Sequence, residues 1–409
     1  MSASGVSGDG ANGTAWTPTR EEALRRLEAF VPRAGRAYAA TRNEDRGPGD
    51  RSNVSALSPY VSYRLLHERE IVAAVLEEHA PRAAEKFVQE VCWRTYWKGW
   101  LEMRPGVWSD YVQSVALQHQ RFQHDDRYRR ALAGETGIDC FDAWREELRD
   151  EGYLHNHARM WFASIWIHTL ELPWPLGAAL FHRELLDADS ASNTLSWRWV
   201  AGLQTRGKAY LAISGNIARY SAGRFPSTPG LADLPMPLDE APYGRDPLEA
   251  LAGRAEGDVL LLHSEMLAPE PAGLDPAGYD RVVIFDGLER GPGFEAAAPV
   301  TTFAAGATAN ALSRIEAVTG RAPARLRALD LPALSEIGIE AGSSIVAFRP
   351  CVGFLAALFA RLKSDWEAAG GLWTELRSSW DAAFFPEATA GFFRLKKSIP
   401  VVLSRLGLV

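Results

Sequence analysis

The stretch from Leu185 to Trp199, LLDADSASNTLSWRW, carries two acids two apart, Asp187 and Asp189, then Asn193, then Trp197 and Trp199. Packing alone does not require so many polar groups between Leu186 and Trp197. The pattern fits a polar ligand held beside aromatic rings, although a capped loop followed by two core tryptophans accounts for the same letters. Three other clusters point the same way. Ser55 and Ser58 precede a helical pattern with Pro59 in its first turn. A helix start with free N–H groups and hydroxyls can hold a phosphate, and a simple capped helix reads alike. Glu90, Trp93, Arg94 and Trp97 fall at i, i+3, i+4 and i+7, so they share one helix face: either a half-exposed stripe or the wall of a cavity where an acid lies beside an indole. His155, Asn156, His157 and Arg159 gather at the start of an apolar helix. Histidines two apart do not share a helix face and no third ligand is near, so no metal is expected, and Asn156 and Arg159 read better as donors to a polar group.

The elements that must position these residues are helical up to about residue 230. Apolar spacing predicts helices over 20–30, 66–78, 83–101, 137–150, 161–170 and 176–186, with Thr19 as the first N-cap. Residues 204–220 carry Lys208, Tyr210 and Asn216, with Gly207 and Gly215 as breaks. Pro226, Pro229, Pro235, Pro237, Pro242 and Pro247 then mark a linker. Beyond it the period changes. Short apolar runs at 258–262, 281–285, 325–329 and 344–348 read as buried strands, alternating with helices at 307–319 and 354–369. That alternation predicts a three-layer α/β domain with a mainly parallel sheet, lacking GxGxxG and a phosphate loop, so no nucleotide is assigned to it. The expected division is 1–15 disordered, 16–228 all-helical, 229–252 linker and 253–409 α/β.

Bulk composition narrows the classes. Residues 1–230 hold 28 Lys+Arg and 28 Asp+Glu, so the remaining 16 and 23 account for the whole net charge of −7. Global charge thus argues against a nucleic-acid partner, while leaving room for a local basic face on the front part. Cys92, Cys140 and Cys351 form no metal spacing and fit a reducing compartment. With no signal peptide and no run of about 18 apolar residues, no membrane span is expected and a cytoplasmic location is the default.

Seven stretches, SALSPYV, EVCWR, GIDCFDAW, GYLHNHARM, LPWPLGAALF, LLDADSASNTLSWRW and KAYLAISGNIARY, resemble in order the motifs of the FAD-binding helical domain of DNA photolyases and cryptochromes, over about residues 20–230. The resemblance implies FAD in a folded, U-shaped conformation. By motif, Ser55, Leu57 and Ser58 match residues that hold the pyrophosphate, and Tyr38 a further phosphate contact. Arg94 matches a flavin-site arginine, and Asp187 and Asp189 match acids near the flavin and ribityl. Arg159 matches the arginine paired with the first acid, and Asn193 the residue facing flavin N5. The implied activity is light-driven electron donation from reduced FAD to a pyrimidine dimer flipped out of damaged DNA. Glu90, Trp93, Trp199, Asn156 and Met160 match the residues lining the cavity for cyclobutane dimers. Their joint presence favours repair, and the (6–4) branch ranks lower because His155 and His157 flank Asn156 rather than replace it.

The chain departs from the family in three respects. Trp197 and Trp174 match the first two members of a tryptophan electron chain, but its outer member, due near Arg121 and Phe122, is missing. Trp166, Trp161 or Tyr128 are alternative exits. His157 stands where many relatives have arginine. An α/β antenna domain normally precedes the helical one; here an α/β domain follows it, as a permuted or independently added unit, and no antenna pigment is expected. Two readings therefore stand above a dark flavoprotein: a photolyase acting on damaged DNA, and a cryptochrome-like photoreceptor whose acidic back domain meets a protein partner.

Overall fold

The structure is a computed structural model that describes residues 16–236, 238–288 and 290–409. The segment 1–15, expected to be disordered, lies outside the described residues. The front part is helical: α1 (Arg20–Phe30), α2 (Arg36–Thr41), α3 (Ser58–Ser62), α4 (Glu68–Glu78), α5 (Pro81–Glu102), α6 (Gly106–Phe122), α7 (Asp126–Ala133), α8 (Asp139–Glu151), α9 (Asn156–Ser164), α10 (Trp174–Glu184), α11 (Ser190–Val200) and α12 (Ser214–Tyr220).

Local chemistry sets the boundaries. Thr19 Oγ1 accepts from the Glu22 amide at 3.2 Å and starts α1. Gly152, at φ 62, ends α8 in the left-handed conformation. Past Ser164 the α9 backbone widens into one π turn, Ile165–Thr169. The run from 204 to 220 is helical only over Ser214–Tyr220, because Gly207 at φ 74 turns the chain before it. Helices α6 and α7 were not anticipated. The α6 sequence does carry the signal, since Val107, Trp108, Tyr111 and Val115 are its buried face.

The back part begins with β1 (Val259–Leu262) and β2 (Arg281–Phe285). It continues through α13 (Ala298–Thr319), β3 (Ala324–Leu326), α14 (Leu331–Glu336), β4 (Ser344–Phe348), α15 (Phe354–Ala368), β5 (Leu372–Leu376), α16 (Ser379–Phe384) and α17 (Phe392–Arg405). The fifth strand and three helices, α14, α16 and α17, add to the expected set, and the strand expected at 325–329 is displaced and shorter. All neighbouring strands run parallel, in the order β3-β2-β1-β4-β5, a doubly wound arrangement whose direction of winding reverses between β1 and β4.

Alternation along the strands divides the core. Leu260, Leu262, Val282, Ile284, Val346 and Phe348 face α13 and join one apolar cluster that runs unbroken into the helical part. Val259, Leu261, Val283, Phe285, Ile345 and Ala347 face the other way, onto Leu334, Phe359, Leu362 and Trp366. Polar contacts reinforce the junction. Trp380 Nε1 donates to Thr95 Oγ1 at 2.8 Å, and buried Arg64 grips Asp381 through one amino nitrogen at 3.1 and 2.8 Å. Arg64 has φ 47, a conformation that costs a non-glycine residue about 1 kcal/mol or more.

Candidate functional site

Asp187 and Asp189 lie in the link between α10 and α11, and two arginines from other helices define the geometry around them. Arg159, in the first turn of α9, donates Nη1 and Nη2 to the two Asp187 oxygens at 3.0 and 2.9 Å, and Nε to the Leu154 carbonyl at 2.9 Å. Burial alone would push the Asp187 carboxyl up. The Arg159 guanidinium, helped by Arg94 and the Ser58 hydroxyl, overcomes burial and holds it below the ordinary carboxylate range. Asp189 caps α11, accepting from the Ser192 amide at 2.7 Å and the Ser192 hydroxyl at 2.8 Å, and it meets the Arg94 guanidinium directly. Arg94 also donates to Ser62 Oγ at 2.9 Å, and that hydroxyl donates to the Asp187 carbonyl at 3.0 Å. One chain of contacts, Arg159–Asp187–Ser62–Arg94–Asp189, thus joins α9, α3, α5 and α11. Lys98, one turn beyond Arg94, is buried with no hydrogen-bond partner among the described residues, and its charge helps Arg94 hold the Asp189 carboxyl down against burial. Asn193 Nδ2 donates to the Ala178 carbonyl at 2.8 Å, leaving Oδ1 without a partner among the described residues.

The remaining positions expected to meet phosphate are arranged differently from the sequence reading. Helix α3 is a single turn, so its dipole contributes little, and what it offers is hydroxyl groups: Ser58 near Asp187, and half-buried Ser55 just before Ala56 at φ 50. Leu57 is buried at its N-cap. Tyr38 is buried edge-on against Phe30 (5.8 Å) and Phe87 (5.1 Å), with its phenol beside Arg42 and Glu90. On the other side of Asp189, at the carboxyl ends of β1, β2 and β4, lies a cavity of ≈80 Å³ that includes Ser62, Tyr63, Glu265 and Arg290.

The aromatic residues fall into two groups. Trp197 is buried edge-on to Phe181 (5.1 Å), Trp166 (6.2 Å) and Phe162 (6.5 Å). Gly177 permits this approach, since a Cβ there would sit 2.3 Å from the Trp197 ring. Trp166 continues to Tyr128 at 5.9 Å. Trp174 instead stacks on Tyr111 at 5.4 Å and 17°, and the Tyr111 hydroxyl is buried without a partner. Trp161 belongs to neither group: it lies parallel to His157 at 4.8 Å and 6° and donates to Asn216 Oδ1 at 3.1 Å. Both His157 and its neighbour are structural. His155 Nδ1 accepts from the His157 amide at 3.2 Å and its Nε2 contacts the Arg42 carbonyl at 3.1 Å. An amide can only donate, so Nδ1 carries no proton and Nε2 does. Burial pushes the His155 pKa down to about 4.

Of the five cavity residues expected by motif, Glu90 and Trp93 come from α5, Asn156 and Met160 from α9, and Trp199 from α11. Glu90 accepts from Arg42 at 2.6 Å, and burial raises its carboxyl pKa against the pull of Arg42 and Lys86. Asn156 is exposed and Met160 half-buried. Trp199 stacks on Tyr210 at 5.4 Å. Trp93 is not open: Phe392, at the start of α17, lies flat on it, centroids 3.7 Å apart and planes 12° from parallel. Arg42, Ser62, Lys98 and Phe392 were not singled out from the sequence. Arg42 lies outside the recognised stretches and Ser62 just past SALSPYV, neither with a pattern of its own, and nothing local links Phe392 to a residue some 300 positions earlier.

Residues 87–221 match the FAD binding domain of DNA photolyase. The deoxyribodipyrimidine photo-lyase of Alkalihalophilus pseudofirmus is 31% identical over 207 residues, 50% of this chain and 42% of that protein. That of Streptomyces griseus is 37% identical over 153 residues, 37% of this chain and 32% of that protein. This chain thus spans less than half the length of these relatives. Among solved structures, a bacterial class III photolyase from Agrobacterium tumefaciens is 25% identical, covering 51% of this chain and 44% of that one, with a TM-score of 0.43. A Synechocystis cryptochrome is 24% identical, covering 53% and 46%, with a TM-score of 0.45.

Proposed function

Since the chain belongs, through its FAD-binding helical domain, to the photolyase and cryptochrome family, we propose that it is a blue-light flavoprotein that repairs cyclobutane pyrimidine dimers in DNA. The observation that carries the reading is the contact chain Arg159–Asp187–Ser62–Arg94–Asp189. Its donor set suits FAD. Arg94 and Arg159 offer cations to the phosphates or to an anionic ring, and each remains neutralised by an aspartate, so neither charge is left bare in the interior. Ser55 and Ser58 offer hydroxyls to the pyrophosphate. Asp189 offers an acceptor, and Asn193 the amide oxygen that has no partner among the described residues.

Held by Arg94, Arg159, Ser55 and Ser58, a reduced FAD would supply light-driven single-electron chemistry. The residues of this chain do the rest. Glu90, held by Arg42 on the same face of α5 as Trp93, offers a carboxyl to the polar edge of a pyrimidine stacked there. Trp93 and Trp199 offer indole faces to an extruded base, with Asn156 and Met160 at the rim. Trp197 with Trp166 and Trp174 with Tyr111 provide aromatic contacts along which an electron can be resupplied.

A photoreceptor reading is favoured by a different observation: Phe392 already covers Trp93. The deciding experiment illuminates the reduced, FAD-loaded protein with an oligonucleotide holding one thymine dimer. Repair in light and not in darkness supports a photolyase. No repair by fully loaded, reduced protein sinks that reading and turns attention to a protein partner for the back domain.

A further inference from the structure

We infer that α17 is a displaceable cover, and that Phe392 holds the place on Trp93 that an unstacked nucleobase would take; this rests on the repair reading above. The contact itself differs from ordinary core packing around the same indole. Trp93 meets Tyr96 at 82° and Trp97 at 36°, but Phe392 at 12° and 3.7 Å, the flat approach of a base on an aromatic platform. Glu90 lies one turn before Trp93 on the same face of α5, so whatever replaces Phe392 has a carboxyl within reach of its edge.

Helix α17 is built weakly. Gly391 at its N-cap supplies no side-chain bond, and Pro400 inside it removes the amide that would donate to the Lys396 carbonyl. Ile399, Val401 and Val402 are poor helix formers. It is held by its buried face, Phe392, Leu395, Ile399, Val402 and Leu403, while its ion pair, Lys396 to Glu85 at 3.6 Å, is largely exposed and adds little. The sequence FFRLKKSIPVVLSR also contains no acid, and Arg394, Lys397 and Arg405 are exposed. In the acidic back part this strip is an exception, and it draws a polyanion toward the helix instead of repelling it.

The test uses the full chain loaded with FAD and has two arms. Native-state hydrogen exchange is expected to show amides of 392–405 exchanging through a local opening, well ahead of the α5 amides. Binding of a single-stranded oligonucleotide with one thymine dimer is expected to tighten roughly fivefold in Phe392→Ala, the size of one aromatic stack, and to weaken in Phe392→Trp. Phe392→Leu keeps the burial without the ring and is expected to tighten binding as well, which guards against an Ala variant that does not fold. Exchange of α17 only with global unfolding overturns the cover, as does equal dimer binding by wild type and folded variants; in the second case the repair reading survives. An opening α17 with no dimer binding by any of the proteins overturns both.

Discussion

Replacing Asp187 by asparagine keeps the side chain's shape and removes the charge that Arg159 was folded against. Asp187 is 4% exposed and takes both terminal nitrogens of Arg159. Breaking a buried pair from one side costs about 3–5 kcal/mol, because the partner's charge stays behind. Here the lower end applies, since Arg159 keeps the Leu154 carbonyl and its side chain is 23% exposed. A loss of about 3 kcal/mol lowers Tm by roughly 3–5 °C for a cooperative unit of about 400 residues. The folded pKa of Asp187 is depressed, so its contribution is present above the unfolded value near 4 and fades as pH falls through the folded value. The gap between wild type and variant should therefore be full at pH 7 and at pH 5, and shrink only below about pH 4. The assay is thermal unfolding by circular dichroism across pH, with flavin absorbance after gel filtration reporting cofactor retention, which should fall. A Tm within about 1 °C of wild type at pH 7, with full flavin, would refute the assignment of this pair as the buried anchor of the site.

Further expectations test other parts of the argument. His263 is locked neutral, with Nε2 on the Phe348 carbonyl at 2.9 Å and Nδ1 accepting from the Glu265 amide at 3.2 Å, and burial brings its pKa down to about 4. The unfolded chain takes up that proton below about pH 6.5 while the folded one does not, so stability should fall by up to about 3 kcal/mol between pH 6.5 and 4; His263→Gln should flatten the acid limb of a Tm–pH curve. Gly177→Val drives a side chain into Trp197 and Trp166, and should cost about 1–3 kcal/mol and shift tryptophan emission; an unchanged spectrum and midpoint would mean Trp197 has room that the structure does not show. Glu90→Gln should lower dimer repair per absorbed photon while flavin content stays at wild-type level; full repair yield would remove Glu90 from the cavity. Trp174→Phe should slow light-driven flavin reduction by an external reductant if the Tyr111 branch is used, whereas Trp166→Phe should do so if the Tyr128 branch is.

The helical half was legible because its pattern is local. Caps such as Thr19 and Asp189, the period of α5, and the run from Asp187 to Trp199 lie within a few turns of sequence. What pairs across helices was less accessible. That Arg94 reaches Ser62 and Asp189, or that Arg42 meets Glu90, depends on how α2, α3, α5 and α11 cross, which no single window contains. Strand β5 was missed because its apolar pair Leu372–Trp373 follows Gly370–Gly371 and is broken at once by Thr374 and Glu375, giving no apolar run. The cover on Trp93 was invisible for a stronger reason: FFRLKK reads as an ordinary amphipathic start, and its partner lies in the other half of the chain.

The unbroken apolar cluster that runs from α1 through the sheet's inner face to α17 has a thermodynamic consequence. With no dry seam between the two parts, they should melt in one transition, and ligand binding in front becomes stability for the back by mass action, RT ln(1 + [L]/Kd) shared over the whole unit. Loss of the flavin would then loosen the parallel sheet as well as the helices. The back part would thus report the loading state of the front, making the protein's lifetime in a cell a readout of its cofactor supply.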